Sequence, residues 1–293
     1  MSISDVTLIT CAEFPELDPD DRLLANALEA IGLRVNTRVW SDRSVDWSAS
    51  KLCLIRSTWD YDRRQLEFID WLKQASSITR LYNDASLIRW NIDKSYLQSL
   101  AEKGIKIIPT RWLNADDGIY TEKFTEELKK LIEQLGRDLV LKPTVGLGGG
   151  GVVRINLTEQ NETQFESSLR YLQKSGKVMI QPFVQSVLRE GEHSLVFFEG
   201  LFSHAIRKSP FAKLAYAGQA GEAKIIATTE EIQFGLAVLA QLPQPPLYAR
   251  VDVVSLDEQI HLMELELIEP SLYFSYSDNA EKLLAALIAM KLL

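Results

Sequence analysis

Two stretches of this sequence combine residue types and spacing suited to phosphate and cation chemistry. Residues 141–151 read LKPTVGLGGGG, with five glycines among the last six positions and Lys142 ending the apolar run before them. Glycines in succession let several peptide N–H groups point into one concavity without side-chain clash, which is what a phosphate chain requires. The spacing formally satisfies G-x-G-x-x-G, but that dinucleotide fingerprint opens a helix, whereas VVRI follows here and reads as a strand. A Walker loop is excluded, because no Lys-Ser or Lys-Thr follows the last glycine. A flexible hairpin turn is the plain alternative, although such a turn has no need of so many glycines, each entropically costly to order. A hairpin lid folding over a triphosphate, with Lys142 as counter-charge, fits best.

The second stretch is LYARVDVVSL followed by QIHLMELELIEP. A three-residue loop of Asp257, Glu258 and Gln259 sets Asp252 opposite Glu264 and Arg250 opposite Glu266, all on one face. Val254, Ile260, Leu262 and Ile268 then share that face, and Val251, Val253, Met263, Leu265 and Leu267 line the other. Opposed carboxylates with Cβ atoms about 5 Å apart repel unless a cation lies between them. Polar residues alternating along a solvent-facing rim would also give the pattern. Oxygen-only ligation by two or three carboxylates instead suits Mg²⁺ or Mn²⁺ completed by substrate phosphates. Arg250 could stabilise charge on a transferring phosphoryl group, or pair structurally with Glu266.

Stepping out from these stretches, Val6–Thr10, 34–40 and 52–56 read as strands alternating with helices from Asp20 and over 65–74, which implies a parallel α/β layer. A single helix is expected over 83–104, stopped by Gly104 and linking two modules. Beyond it, 105–113 is strand-like, 124–135 and 162–174 are helical, and 138–142, 152–155 and 177–181 are strands. The remainder has antiparallel character, with a hairpin turning at Glu199-Gly200, a helix over 229–241 and the carboxylate hairpin. Arg56, Ser57, Thr58 and Asp60, in RSTWDY, stand at the end of a parallel strand, where α/β sheets place ligands. They are therefore expected to touch substrate, with Trp59 and Tyr61 packing. His193, His204 and His261 form no cluster in sequence and are expected to be structural, though His204 could face substrate. Lys208 is a candidate contact for phosphate or a substrate carboxylate, or else a surface lysine.

The chain has 293 residues, about two domains' worth. Its 32 Lys and Arg against 40 Asp and Glu give a formal charge of -8, which argues against a general nucleic-acid binder. Cys11 and Cys53 are too few for a disulfide framework and are expected to be buried. No apolar run reaches the length of a membrane span, and the N-terminus lacks the basic region of a signal peptide, so no membrane partner and a cytoplasmic location are expected.

A glycine lid preceded by Lys, a later acidic strand and a final R-x-D with E-x-E hairpin resemble the order of parts in the ATP-grasp ligases. RSTWDY at 56–61, RWNIDKSYL around Lys94, GEHSLVFF, FSHAIRKSP and MELELIEPSL are similar to the RimK and glutathione-synthetase type, and within it to the group of the O-ureido-serine cyclo-ligase. The resemblance implies a mixed α/β and α+β fold: a parallel pre-ATP-grasp domain with its linking helix over 1–104, a small ATP-grasp subdomain with the lid over 105–184, and a C-terminal subdomain with the metal hairpin over 185–293. It implies that Lys94 and Lys142 contact ATP phosphates, that Gly146, Gly148, Gly149, Gly150 and Gly151 form the lid, and that Gln181, Pro182, Phe183 and Val184 form the hinge beside adenine. Glu192 matches the ribose-binding acid. Asp252, Glu264 and Glu266 match the metal ligands, the third being commonly Asn in the superfamily. The implied activity is ATP-dependent carboxylate-amine ligation of small molecules through an acyl phosphate, either between two molecules or within one. A homo-oligomer is compatible with the family. A nucleotide-binding regulatory protein with the same fold and no turnover is the alternative, and a nicotinamide oxidoreductase a third.

Overall fold

The computed structural model describes residues 3–115, 117, 124–158, 161–209 and 221–293. The N-terminal module alternates β1 (Ser4–Thr10), α1 (Pro19–Ala30), β2 (Val35–Val39), β3 (Ser50–Ile55), α2 (Gln65–Ile78) and β4 (Arg80–Tyr82), and continues into α3 (Ala85–Ile92) and α4 (Tyr96–Glu102). Its four strands pair in parallel in the order β2-β1-β3-β4. Every residue of β1 is buried, as expected of a central parallel strand covered on both faces. Asp18 caps α1 by accepting from the Asp20 amide, and Pro19 supplies the helical φ of the first turn.

The middle module holds β5 (Arg111–Leu113), α5 (Phe124–Leu135), β6 (Asp138–Pro143), β7 (Val153–Asn156), α6 (Glu162–Gln173) and β8 (Val178–Pro182), with its strands antiparallel in the order β5-β8-β6-β7. The glycine stretch joins β6 to β7, so a strand does follow it. The last module holds α7 (Ser186–Arg189), β9 (Glu192–Phe198), β10 (Leu201–Ser209), β11 (Gly221–Ile225), α8 (Thr229–Leu239), β12 (Tyr248–Leu256), β13 (Gln259–Glu266) and α9 (Ala280–Leu292). Its antiparallel sheet runs β11-β10-β9-β12-β13. Pro210, which ends the FSHAIRKSP segment, lies outside the described residues. Leu284, Ala285 and Ile288 of α9 pack into one core with Val6, Leu8, Leu52 and Leu54 of the first sheet. Cys11 and Cys53 are free and buried, and burial pushes the Cys53 thiol up to about 11.

Three details differ from the sequence expectation. The helix expected over 83–104 is two, because at Asp93 the backbone turns extended and its carboxylate accepts the Ser95 amide at 2.8 Å. The strand expected over 105–113 shortens to β5, since its first half runs beside β13, with a bridge between Ile107 and Leu262. The β12–β13 turn has two residues, Asp257 and Glu258, both at positive φ, and Leu256 pairs with Gln259. A bulge at Met263 adds back the missing residue, so Asp252 still faces Glu264 and Arg250 still faces Glu266. The shorter turn and the bulge also move three side chains to the opposite face: Ile260 and Leu262 join Val251 and Val253, while Met263 packs with Val184, Val187 and Val254.

The linker helices fix β13 in place. Asn91 donates to the Leu265 carbonyl at 2.8 Å and accepts from the Leu267 amide at 2.9 Å. The Tyr96 hydroxyl donates to the Leu265 carbonyl and accepts from the Leu265 amide, both at 2.8 Å. The Leu262 amide donates to the Lys106 carbonyl at 2.8 Å. The unpaired edge of β13, which carries Glu264 and Glu266, is thus satisfied by α3, α4 and the strand-like segment after them.

Candidate active site

The break between α3 and α4 exists to place Lys94. Its backbone amide donates to the Thr144 carbonyl at 2.8 Å, just before the glycine stretch. Its ammonium donates to the Gly146 carbonyl at 2.7 Å and pairs with Glu264 at 3.0 Å. Burial opposes the charge on Lys94, but Glu264 outweighs it and holds the ammonium above its ordinary range. The glycine stretch therefore lies over the carboxylate face. Gly148, Gly149 and Gly151 adopt positive φ, the conformation that glycine alone takes without strain. Val145 and Leu147 pack against the apolar cluster of the N-terminal module, so the stretch is held down on both sides.

The acids of the terminal hairpin are neutralised by the chain's own cations. Arg250 grips Asp252 bidentately, Nε to Oδ1 and Nη2 to Oδ2, both at 2.9 Å, and its Nη2 also bonds Glu266. Lys208 stands between Asp252 at 2.8 Å and Glu192 at 2.5 Å. Burial works against ionisation of Asp252, but Arg250 and Lys208 overcome it and hold the carboxyl well below its usual range. Burial, with Glu264 and Asp252 alongside, pushes Glu266 up to about 7 against the pull of Arg250. Arg250 is thus the ion-pair partner of Glu266, and Lys208 is no surface lysine.

Among the described residues no group of three or more His, Cys, Asp or Glu stands close enough to hold a metal ion. The expected three-carboxylate cradle is not assembled, because Asp252 is turned fully onto Arg250 and Lys208. Glu264 and Glu266 nonetheless line one small cavity with Lys94, Gly146 and Leu147. Two hard oxygen donors crowded by a third carboxylate fit Mg²⁺ or Mn²⁺, and a divalent ion there would relieve the repulsion that raises Glu266.

Lys142, on β6, is partly buried and, among the described residues, its ammonium has no hydrogen-bond partner. Burial lowers its pKa, with Glu264 pulling the other way and Lys94 adding to the depression. Such a cation awaits an anion. Lys142→Ala is expected to weaken ATP binding about 10–100-fold, the worth of one charge-assisted contact, without lowering the melting temperature. Calorimetric titration with ATP and a thermal melt check both halves.

The other predicted residues are placed differently. Arg56, Ser57 and Thr58 are fully buried, and Arg56 Nη1 and Thr58 Oγ1 have no hydrogen-bond partner. Arg56 pairs with Asp21 at 2.9 Å and donates to the Pro270 carbonyl at 2.6 Å, and Ser57 donates to Asp21 at 2.6 Å. Asp60 accepts from the Trp40 indole at 2.7 Å and from Arg64 at 3.2 Å. The RSTWDY turn is tied to the C-terminal module through Pro270 and Glu269. His204 is buried too, bonded to Ser203 and the Leu272 carbonyl. In the segment expected to form the hinge, the Gln181 side-chain amide donates to the Thr110 hydroxyl at 2.8 Å. Pro182 ends β8, Phe183 lies 3.4 Å beneath the Arg154 guanidinium, and Val184 is in the core.

Gly191 precedes Glu192 at φ +82, and a Cβ there would stand 2.6 Å from Arg207 Cγ and 2.7 Å from the Lys208 carbonyl oxygen. Gly191→Ala is expected to cost about 1–3 kcal/mol and to displace the Lys208 strand. A urea titration measures the loss, and the KM for ATP reports the displacement.

Sequence reasoning missed Glu269, buried in the lining of the same cavity. A third acid following Glu264 and Glu266, set between Ile268 and Pro270, was the available signal.

Comparison with known proteins identifies the fold and the family. Residues 6–83 match the N-terminal domain of D-cycloserine synthetase DcsG, and residues 115–257 the ATP-grasp domain of prokaryotic glutathione synthetase. The chain is 31% identical to the cycloserine biosynthesis protein DcsG of Streptomyces lavendulae, over 98% of each chain. The crystal structure of D-cycloserine synthetase DcsG superposes with a TM-score of 0.87 at 30% identity, covering 98% of this chain and 99% of that one. At the level of fold alone, a D-alanine–D-alanine ligase from Bacillus anthracis matches with a TM-score of 0.66 at 16% identity, covering 99% and 97% of the two chains. Fold and site together define an ATP-grasp ligase, an enzyme class that uses ATP with Mg²⁺. Within that class the chain belongs to the family of D-cycloserine synthetase. No helix among the described residues is long and apolar enough to cross a membrane.

Proposed function

We propose that this ligase closes a ring within a single substrate, activating the carboxylate of a small amino acid with ATP and joining it to a nitrogen of the same molecule. The observation that carries the reading is Lys94, which meets the flap carbonyl of Gly146 and the carboxylate of Glu264 at once, so that lid and acid face share one cavity. A substrate carboxylate oxygen attacks the γ-phosphorus, the bond to the β,γ-bridging oxygen breaks, and ADP leaves. The nitrogen then attacks the acyl phosphate carbon, the carbon–oxygen bond breaks, and phosphate departs as the nitrogen loses its proton. Lys94, Lys142 and the flap from Gly146 to Gly151 would neutralise the phosphates, and Lys208 and Arg250 would hold the acids while stabilising charge at the transferring group. Mg²⁺ or Mn²⁺, held by Glu264 and Glu266 with Asp252 behind them, would supply further charge neutralisation. Glu192 would meet the ribose, and the backbone from Gln181 to Val184 the adenine. The chemistry is mainly positioning and exclusion of water, since an acyl phosphate exposed to water hydrolyses.

Ring closure is supported by the D-cycloserine synthetase among the relatives, a protein named for a small cyclic product. The test is phosphate release from ATP with O-ureido-D-serine and with pairs of simple amino acids, followed by mass spectrometry. A product lighter than its substrate supports ring closure, and one heavier means joining of two molecules. ATP binding without release across the panel would instead mark a nucleotide-binding protein without turnover.

A further inference from the structure

Nothing in the chemistry so far uses the Glu269 carboxylate. The residue is 4% exposed, and its Oε2 has no hydrogen-bond partner. It lines the same cavity as Lys94, Gly146, Leu147, Glu264 and Glu266. Its backbone is held from the N-terminal module, the Glu269 carbonyl accepting from the Trp59 indole at 3.1 Å and the Pro270 carbonyl from Arg56 at 2.6 Å. Of the cations nearby, Lys94 is committed to Glu264 and Gly146, and Arg56 to Asp21 and Pro270 through Nε and Nη2, and no hydrogen bond joins either of them to Glu269 Oε2. Burial, with Glu266 adding to it, holds the Glu269 carboxyl well above the usual carboxylate range.

A buried carboxyl oxygen without a donor is unfavourable, and one retained beside a ligand cavity is a site for a donor that arrives with the ligand. Glu264 and Glu266 already offer paired oxygens for a divalent ion. A third acid lining the same cavity is suited to a compact cation with its own N–H donors. We propose that Glu269 receives the ammonium group of the amino-acid substrate and so selects carboxylates that carry a free α-amine. The inference deepens the proposed ring closure and rests on it. An ammonium shut under Leu147 loses its water and needs an anionic partner. A substrate without the amine leaves Glu269 unpaired, which is how a polar site rejects an analogue lacking one group.

The experiment compares O-ureido-D-serine with its desamino counterpart, 3-(ureidooxy)propanoate, in phosphate release. The wild-type enzyme is expected to prefer the amine-bearing compound by about tenfold or more in kcat/KM. Glu269→Gln, isosteric with the protonated acid, should lose most of that preference through a higher KM for O-ureido-D-serine, with the KM for ATP within about twofold of wild type. Glu269→Asp should recover part of it. An unchanged preference in Glu269→Gln overturns the proposal, as does a parallel rise in the KM for ATP or Mg²⁺, which would place Glu269 with the nucleotide. Calorimetric binding of D-cycloserine in the presence of Mg²⁺ and AMPPNP decides the matter independently of turnover. Binding about tenfold weaker in Glu269→Gln than in wild type supports the ammonium site. Equal binding, or none to the wild type, removes it. Absence of phosphate release with every substrate counts against ring closure alone.

Discussion

Glu264→Gln is expected to fold normally and to release phosphate from ATP at least about 100-fold more slowly than the wild type. Glutamine keeps the shape of the side chain and an oxygen for the Lys94 ammonium, which sits 3.0 Å away. It removes the negative charge, and with it the hard anionic donor a divalent ion requires. Glu266 cannot substitute, because it is bonded to Arg250 and its carboxyl is already pushed up to about 7. The measurement is phosphate release at saturating substrate across a Mg²⁺ titration, with a thermal melt as control. Release that survives with unchanged Mg²⁺ dependence would show that the carboxylates of β13 do not handle the metal.

Arg56→Met is expected to produce the largest loss of stability of any single substitution outside the active site. Arg56 is fully buried, grips Asp21, donates to Pro270, and lies 5.0 Å from the centre of the Tyr248 ring. Methionine fills much of the volume but strands Asp21 in the interior, and breaking a buried pair from one side costs about 3–5 kcal/mol. The melting temperature should fall by roughly 10 °C. The loss should depend on pH with a definite sign. Burial already raises the Asp21 carboxyl above its ordinary range while Arg56 pulls it down, so removing the guanidinium raises it further. A group raised in the folded state favours folding below its unfolded pKa, and this contribution is lost as pH rises through the folded value. The deficit of Arg56→Met should therefore be smallest in acid and grow toward neutrality. A deficit independent of pH would mean that Asp21 is not the group left stranded. Urea titrations at several pH values make the comparison.

How far such features could be read in advance depended on the range over which they are determined. The opposition of Asp252 and Glu264 followed from side-chain alternation, and it held although the turn has two residues instead of three, because the Met263 bulge restored the count. The same bulge defeated the face assignment of Ile260, Leu262 and Met263, since an extra residue inverts the alternation beyond it. The glycine stretch was legible as a connection between two strands because the apolar run after it ruled out the helix-opening motifs. The break at Asp93 was hidden, as neither Gly nor Pro marks it, and only the Asp93–Ser95 spacing of a side-chain cap hinted at it. The partners of Arg56 lie 35 and 214 residues away in sequence, beyond any local pattern. Position at a strand end therefore suggested substrate contact and gave no sign of the tie to the C-terminal module.

The side chains of Asn91 and Tyr96 along β13 also bear on how these molecules behave in a crowd. An outermost strand ordinarily offers a ladder of free amides and carbonyls that a neighbouring chain can extend, which is the usual beginning of fibril growth. Here the rungs at Leu265 and Leu267 are taken by an asparagine and a tyrosine from the linker helices. The flank that carries the reactive acids is thereby closed to strand-by-strand stacking between copies, with no lysine or proline spent on keeping them apart.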